Sequence, residues 1–161
     1  MDERHPCIVV GYDGSESARV AVEHAVLEAA PDGEVVVVYA FGPPPDWLGA
    51  PNYQRVLDDH RGRGRQVLDE LEADAAEVFG DVAYDLDLLG DSPADAVLNA
   101  AAVRAADAIV VGSRGFGFVH GALGSVSHEL LQRAAVPVTV ITPAYVEARR
   151  TRAGAVARAG E

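Results

Sequence analysis

Residues 108–127 read AIVVGSRGFGFVHGALGSVS, an apolar run that leads into a glycine-rich segment and then towards a helix. We predict a strand over residues 108–111, a loop, and a helix over residues 127–134. Glycines let a backbone approach a ligand closely and adopt positive φ angles, and the free N–H groups at a helix start attract an anion. The stretch therefore predicts a phosphate site, and hence a nucleotide as the ligand.

The composition indicates one globular domain of 161 residues, of which 49% are hydrophobic. No apolar run approaches the roughly 20 residues that a membrane-spanning helix needs. The first residues lack the pattern of a signal peptide, and the single cysteine, Cys7, excludes an internal disulfide. We therefore expect a cytoplasmic protein that does not bind a membrane.

The formal net charge is −12, and all 13 basic residues are arginines. A body this acidic repels nucleic acid and anionic membranes, so neither is expected as a partner. It also repels a nucleotide, unless a helix dipole and an arginine offset the field at one place. The absence of lysine excludes a Walker P-loop, which requires that residue.

Apolar runs alternate with helix-like segments along the chain, which predicts a parallel sheet with helices on both faces. Ser15 and Ser92 are the expected caps of the first and third helices. The alternation over residues 82–89 favours an edge strand. The predicted strands are residues 7–12, 35–41, 82–89, 108–111 and 136–142, and the predicted helices are residues 15–30, 53–79, 92–106 and 127–134.

We divide the chain into a nucleotide-binding domain, residues 1–143, and an arginine-bearing C-terminal tail, residues 144–161. Chain termini are often poorly ordered, so a flexible tail is the main expectation. A frayed helix and a partner-binding arm are the alternatives.

The first predicted strand ends in a second unusual turn, Gly11-Tyr12-Asp13-Gly14-Ser15. In open α/β sheets, ligands bind beyond the carboxyl ends of strands where the winding reverses. If the first and fourth strands are neighbours, this turn lies beside the glycine-rich segment. Asp13 would then hold Mg²⁺ or accept a hydrogen bond from a ribose or base. The alternative is that Asp13 caps the first helix.

Four segments together resemble the universal stress protein family: VVGYDGS (9–15), ADAIVVGSRG (106–115), GSVS (124–127) and VPV (136–138). The resemblance extends over about residues 6–142. It implies a three-layer α/β sandwich around a five-stranded, parallel, Rossmann-like sheet in the strand order 3-2-1-4-5. It also implies a homodimer, which we expect to form through the apolar edge strand between Val136 and Thr142.

One branch of this family binds ATP through the pattern Gly-x₂-Gly-x₉-Gly-[Ser/Thr]. The resemblance thus implies a stress-response or signalling protein that binds ATP, or ADP or AMP, with or without Mg²⁺ at Asp13. The implied nucleotide-binding residues are Gly11, Tyr12 and Asp13 on the adenosine side, Ala40 and Val111 against the base, Gly112, Arg114 and Gly115 around the ribose and phosphates, and Gly124, Ser125, Val126 and Ser127 at the phosphates.

The segment between Gly115 and Gly124 has eight residues, one fewer than the pattern, and it carries Phe116 and Phe118. Two phenylalanines could fill a phosphate site. The alternative function is therefore a ligand-free interaction module of the same fold, which docks partners through this loop and the C-terminal tail.

Enzymatic activity finds little support in the sequence. An adenylating enzyme on this scaffold would carry Ser-Gly-Gly-x-Asp-Ser or His-x-Gly-His after the first strand, and neither motif is present there. No general base is placed for hydrolysis, so we assign no catalytic residue and expect at most slow ATP hydrolysis.

Overall fold

The computed structural model describes residues 5–113 and 123–160. Its strands are β1 (Cys7–Gly11), β2 (Glu34–Ala40), β3 (Ala83–Leu89), β4 (Ala108–Gly112) and β5 (Val138–Ile141). Its helices are α1 (Glu16–Ala29), α2 (Asn52–Ala73), α3 (Ala75–Val78), α4 (Pro93–Val103), α5 (Ser125–Arg133) and α6 (Pro143–Ala159), with a 3₁₀ turn at Asp46–Leu48.

The strands form one parallel sheet in the order β3-β2-β1-β4-β5. This confirms the predicted fold class and strand order, including the edge position of β3. Because β1 and β4 are neighbours, the sheet winding reverses between them, and their carboxyl ends meet at one edge.

The two faces of the sheet bury separate cores, because side chains alternate along each strand. On one face, Val10, Val37 and Val110 pack with α1, α2 and α6. On the other face, Val9 and Ile109 pack with α4 and α5. The central strands are therefore covered on both sides, as the continuous apolar runs predicted.

Both predicted helix caps are present. The Ser15 hydroxyl accepts a hydrogen bond from the N–H of Ala18 at 3.2 Å, and the Ser92 hydroxyl accepts one from Asp95 at 3.4 Å. These bonds satisfy amides that have no partner inside the helix. They fix where α1 and α4 begin relative to the strands before them.

The prediction of one helix over residues 53–79 is wrong, since the chain leaves helical geometry at Asp74, where ψ is 9°. At this break, the Asp74 carboxylate accepts a hydrogen bond from Arg19 of α1 at 3.0 Å. The sequence pattern of a single helix gave no sign of this contact. Helix α5 begins two residues earlier than predicted, directly after Gly124. Strand β5 is shorter than predicted, and Pro137 before it has no N–H to donate.

Most of the C-terminal segment forms α6, as in the alternative of a helical tail. Thr142 caps this helix by accepting a hydrogen bond from the N–H of Tyr145 at 3.2 Å, and Pro143 occupies its first position. Val146 is buried in the core. Residues 151–160 are exposed throughout. None of the helices in the described ranges is both long and apolar enough to cross a membrane.

Candidate functional site

A cavity of about 350 Å³ lies at the carboxyl ends of β1 and β4, where the sheet winding reverses. Its volume falls within the range of about 300–1,000 Å³ that is usual for small-molecule pockets. Arg114 and Gly115 lie outside the described residues. The other ten predicted site residues all line this cavity: Gly11, Tyr12, Asp13, Ala40, Val111, Gly112, Gly124, Ser125, Val126 and Ser127. The structure thus brings them together, and their contact with a ligand stays a prediction.

The start of α5 forms one end of the cavity. The N-cap is Gly124, and the first helical hydrogen bond runs from the N–H of His128 to the Gly124 carbonyl at 3.0 Å. The N–H groups of Ser125, Val126 and Ser127 therefore have no partner inside the helix. A glycine cap has no side chain that could satisfy them. They form a candidate anion site at the positive end of the helix dipole.

The Ser127 hydroxyl has a partner within the fold. This buried hydroxyl donates a hydrogen bond to the Gly112 carbonyl at 2.8 Å. Its single proton is thus committed to the backbone of β4, so an anion would meet the Ser127 N–H rather than a free hydroxyl. The bond holds the start of α5 against the end of β4.

Two backbone bonds of Ser113 continue this connection. Its carbonyl accepts a hydrogen bond from the Gly124 N–H at 2.8 Å, and its own N–H donates to the Ile141 carbonyl at 2.9 Å. The exit of β4 is therefore tied both to the cap of α5 and to the end of β5. The position of the candidate anion site depends on all three elements.

A side chain at position 112 would crowd the start of α1. A Cβ atom there would lie 2.5 Å from the Ser17 Oγ and 3.2 Å from the backbone N of Ala18. The end of β4 lies this close to the start of α1 only because residue 112 has no side chain. Gly112 therefore lies close to α1 as well as lining the cavity, and its contact with a ligand stays a prediction.

Asp13 holds the turn that follows β1. Its Oδ1 accepts a hydrogen bond from the N–H of Ser15 at 2.9 Å, while Ser15 itself caps α1. Gly14 adopts a φ of 81°, which only glycine tolerates readily. The alternative that Asp13 caps α1 is therefore wrong in detail, because Ser15 is the cap and Asp13 supports the turn before it.

Burial raises the pKa of Tyr12 and Tyr39, and the nearby Asp13 carboxylate raises both further. For Tyr12, Arg19 acts in the opposite direction.

Sequence reasoning missed seven residues that line the cavity. Two of them, Val38 and Tyr39, could have been found from the apolar run of β2, since they directly precede Ala40. The residues from α4 could not be found in this way, because they reach the cavity only through the packing of that helix. The seven are Ser15, Ala18, Val38, Tyr39, Pro93, Val97 and Ser113.

Comparison with known proteins identifies the family. The model of the universal stress protein family matches residues 7–142. The chain is 38% identical over 136 residues to a universal stress protein encoded in the QAH/OAS sulfhydrylase 3′ region of Thermus aquaticus, which covers 83% of this chain and 96% of that protein. The chain belongs to the universal stress protein family.

Solved structures agree on the architecture. The universal stress protein UspA from Lactobacillus plantarum superposes with a TM-score of 0.72 at 20% identity, over 87% of this chain and 99% of that one. A universal stress protein crystallised in complex with cAMP superposes with a TM-score of 0.63 at 26% identity, over 84% and 96%.

Proposed function

We propose that this member of the universal stress protein family binds an adenine nucleotide in the cavity between the β1 turn and the start of α5, and acts in stress response or signalling. ATP is the ligand that the sequence predicts. The observation that carries the proposal is the group of three amides at residues 125–127, which have no helical partner and line the same cavity as the β1 turn.

The charge of the chain makes these amides necessary. A body with a net charge of −12 repels a phosphate, so attraction must come from local groups such as a helix dipole and an arginine. The start of a helix carries the equivalent of roughly half a positive charge. Arg114, the basic residue predicted beside the phosphates, lies outside the described residues.

The other end of the cavity suits an adenosine. Ala40, Val97 and Val111 supply an apolar wall against which a base can pack. The Asp13 Oδ1 accepts the Ser15 amide, which leaves the second carboxylate oxygen for a ribose hydroxyl. The structural neighbour that contains cAMP, at 26% identity, supports an adenine nucleotide as the ligand class.

Asp13 is also the residue that would hold Mg²⁺. Within residues 5–113 and 123–160, no three His, Cys, Asp or Glu side chains gather into a metal site. Magnesium is commonly bound by one or two carboxylates together with nucleotide phosphates. Asp13 therefore fits a Mg²⁺ ion that arrives with its nucleotide.

Thermal unfolding with ATP, AMP and cAMP, each with and without Mg²⁺, tests the proposal. A nucleotide at 100 times its Kd stabilises the fold by about 2.7 kcal/mol, which raises the Tm of a domain of this size by about 5–10 °C. The absence of a shift with every adenine nucleotide would contradict the proposal and favour the ligand-free interaction module. Phe116 and Phe118, on which that alternative depends, lie outside the described residues.

We also propose a homodimer through β5. This strand lies at the sheet edge, and Val138 and Val140 are only half-buried. An exposed edge with β-branched side chains can pair with a copy of itself about a two-fold axis. Light scattering at micromolar concentration should give twice the mass of one chain, and the mass of a single chain would contradict the dimer.

A further inference from the structure

Helix α6 lies beyond the domain that defines the family, because the family match ends at residue 142 and α6 begins at Pro143. Its proximal half packs on α1. Val146 is buried, and the Tyr145 ring meets the His24 ring edge-on, with their centroids 6.0 Å apart. Since its distal half is exposed, the contacts that fasten α6 come from residues 143–150.

Two ion pairs join the proximal half of α6 to α1. Arg149 Nη2 lies 2.7 Å from Glu23 Oε2. Arg150 contacts both carboxylate oxygens of Glu16, with Nε 2.6 Å from Oε1 and Nη2 against Oε2. Glu16 is the first residue of α1 and directly follows Ser15, which lines the nucleotide cavity. The pair between Arg150 and Glu16 therefore holds the end of α1 that lies next to the cavity.

Ser113 connects α6 to the cavity by a second route. Its N–H donates to the carbonyl of Ile141, two residues before α6, and its carbonyl accepts from Gly124, the cap of the anion site. Ser113 also lies between two cavities. It lines the nucleotide cavity and a second cavity of about 260 Å³, whose other lining residues are Glu16, Ser17, Pro143, Val146, Glu147 and Arg150.

The second cavity does not offer its charges to a ligand. Arg150 bridges Glu16 and Glu147, so these charged groups already satisfy one another across the gap between α1 and α6. Their arrangement fastens one helix to the other, with the exit of β4 in between.

We propose that α6 is a strap that positions the anion-binding end of the nucleotide cavity, with Arg149 and Arg150 as positioning residues. When α6 is fastened, it holds the end of β5 and the start of α1, and through Ser113 it holds the amides of α5. Such coupling is reciprocal, so a bound nucleotide also tightens α6. The effect on nucleotide affinity rests on the proposed function, whereas the effect on the cavity wall is measurable without a ligand.

The test compares two double variants of the full chain. R149Q/R150Q removes the paired arginines, and R152Q/R158Q removes two exposed arginines of the same helix. Each variant changes the net charge from −12 to −14, so long-range repulsion of a nucleotide is equal in both. Urea unfolding establishes the global stability of each variant, and hydrogen exchange reports on individual amides in the ligand-free protein.

For R149Q/R150Q we expect amide exchange over residues 145–150, at Ser113 and at Gly124 to rise by about 2- to 30-fold, the range that two exposed ion pairs supply. Its affinity for ATP, by calorimetry, should fall by a similar factor. R152Q/R158Q should match the wild type in amide exchange and keep a higher affinity for ATP than R149Q/R150Q. R149K/R150K should reverse most of the changes seen in R149Q/R150Q, because lysine keeps the charge. Rescue by lysine separates loss of the ion pairs from a general effect of substitution.

Equal exchange at Ser113 and Gly124 in the two glutamine variants would overturn the strap. Faster exchange at these amides in R149Q/R150Q alone supports it. Because this arm needs no ligand, a wild-type protein that binds no nucleotide would contradict the proposed function without altering the result for the strap.

Discussion

The two ends of the sheet treat their backbone polar groups in opposite ways. At the amino ends of the strands, the protein supplies the partners: Asp107 Oδ2 accepts the Cys7 N–H at 2.9 Å, and the Cys7 carbonyl accepts the Asp107 N–H at 2.8 Å. At the carboxyl ends, the first three amides of α5 have no helical partner and belong to residues that line a cavity. One end is closed by partners within the fold, and the other has the donors to which we assign the proposed ligand.

The same contrast appears in the charged groups. At the closed end, Arg104 lies 2.6 Å from Asp85 and 3.4 Å from Asp87, so one guanidinium serves two carboxylates of an edge strand. At the open end, Asp13 has one oxygen on the Ser15 amide. The comparison teaches that substitutions at the closed end should change stability, whereas those at the open end should change binding.

The largest expected effect is the slow reaction of the Cys7 thiol, at the closed end, with an alkylating reagent. Burial, and then the side chain of Glu34, raises the pKa of this thiol from 9.0 to about 12. At pH 8 the thiolate, which is the reactive form, should be about 1,000-fold scarcer than in an ordinary cysteine. Labelling with iodoacetamide should therefore be slow in the native protein and normal in urea.

The same pKa shift predicts a pH dependence of stability. The folded state keeps the thiol proton that the unfolded state loses above pH 9, so this contribution is complete below pH 9 and falls as the pH rises towards 12. If iodoacetamide labelled Cys7 as fast in the native protein as in urea, the conclusion that the amino end of the sheet is closed would be contradicted.

The second largest effect is expected for replacement of Gly33, at the closed end, by alanine. A Cβ at Gly33 would lie 2.3 Å from the Pro6 carbonyl oxygen and 2.5 Å from that of Ala29. Both atoms belong to the backbone and cannot rotate away, so G33A should cost about 3 kcal/mol, at the upper end of overpacking effects. G62A is the control, because nothing lies within 4 Å of its Cβ and alanine favours a helix by about 0.5–1 kcal/mol. The urea concentration at the midpoint of unfolding should therefore fall for G33A and rise for G62A.

At the open end, S125P should weaken nucleotide binding by about 10-fold or more without a loss of stability. Proline removes the N–H of residue 125, and hydrogen bonds to charged groups contribute about 1.5–3 kcal/mol. The first position of a helix favours proline, and Gly124 already has the extended ψ of 153° that a residue before proline prefers.

S125A is the matched control for this variant, because it removes the hydroxyl and keeps the amide. Calorimetry with ATP should show wild-type affinity for S125A. Equal weakening in both variants would assign the effect to the side chain and contradict an amide-based site.

The smallest effect is expected for R104M at the closed end. It removes the guanidinium from Asp85 and Asp87, which are partly exposed, so the loss should be about 0.5–1 kcal/mol. Nucleotide affinity should not change, since neither Arg104 nor its two partners line the cavity. R152M, in the exposed half of α6, provides the comparison in urea unfolding. A weaker affinity for ATP in R104M alone would break the separation of the two ends.

Much of the fold could be predicted because it depends on local patterns. The apolar runs of β1, β2 and β4 are continuous and end at glycines or turns, so their bounds are correct to within a residue or so. Ser15 and Ser92 identify helix starts through chemistry confined to a few neighbouring residues. The strand order came from the family resemblance, since no local pattern specifies which strands pair.

The features that were missed depend on distant contacts. Arg19 holds Asp74 at the break between α2 and α3 across 55 positions of sequence, and Glu16 holds Arg150 across 134. The commitment of the Ser127 hydroxyl to Gly112 also requires the packed sheet. A pattern that identifies residues near a ligand does not reveal which of their groups the protein has already used.

Titration of ¹⁵N-labelled protein with ATP, followed by amide chemical shifts, tests the central claim most directly. Our account predicts large shifts at Ser125, Val126 and Ser127, and none at the closed end, for which the amides of Cys7 and Asp107 are the markers. Saturating ATP that leaves the three α5 amides unmoved, or that shifts the closed end instead, would contradict it.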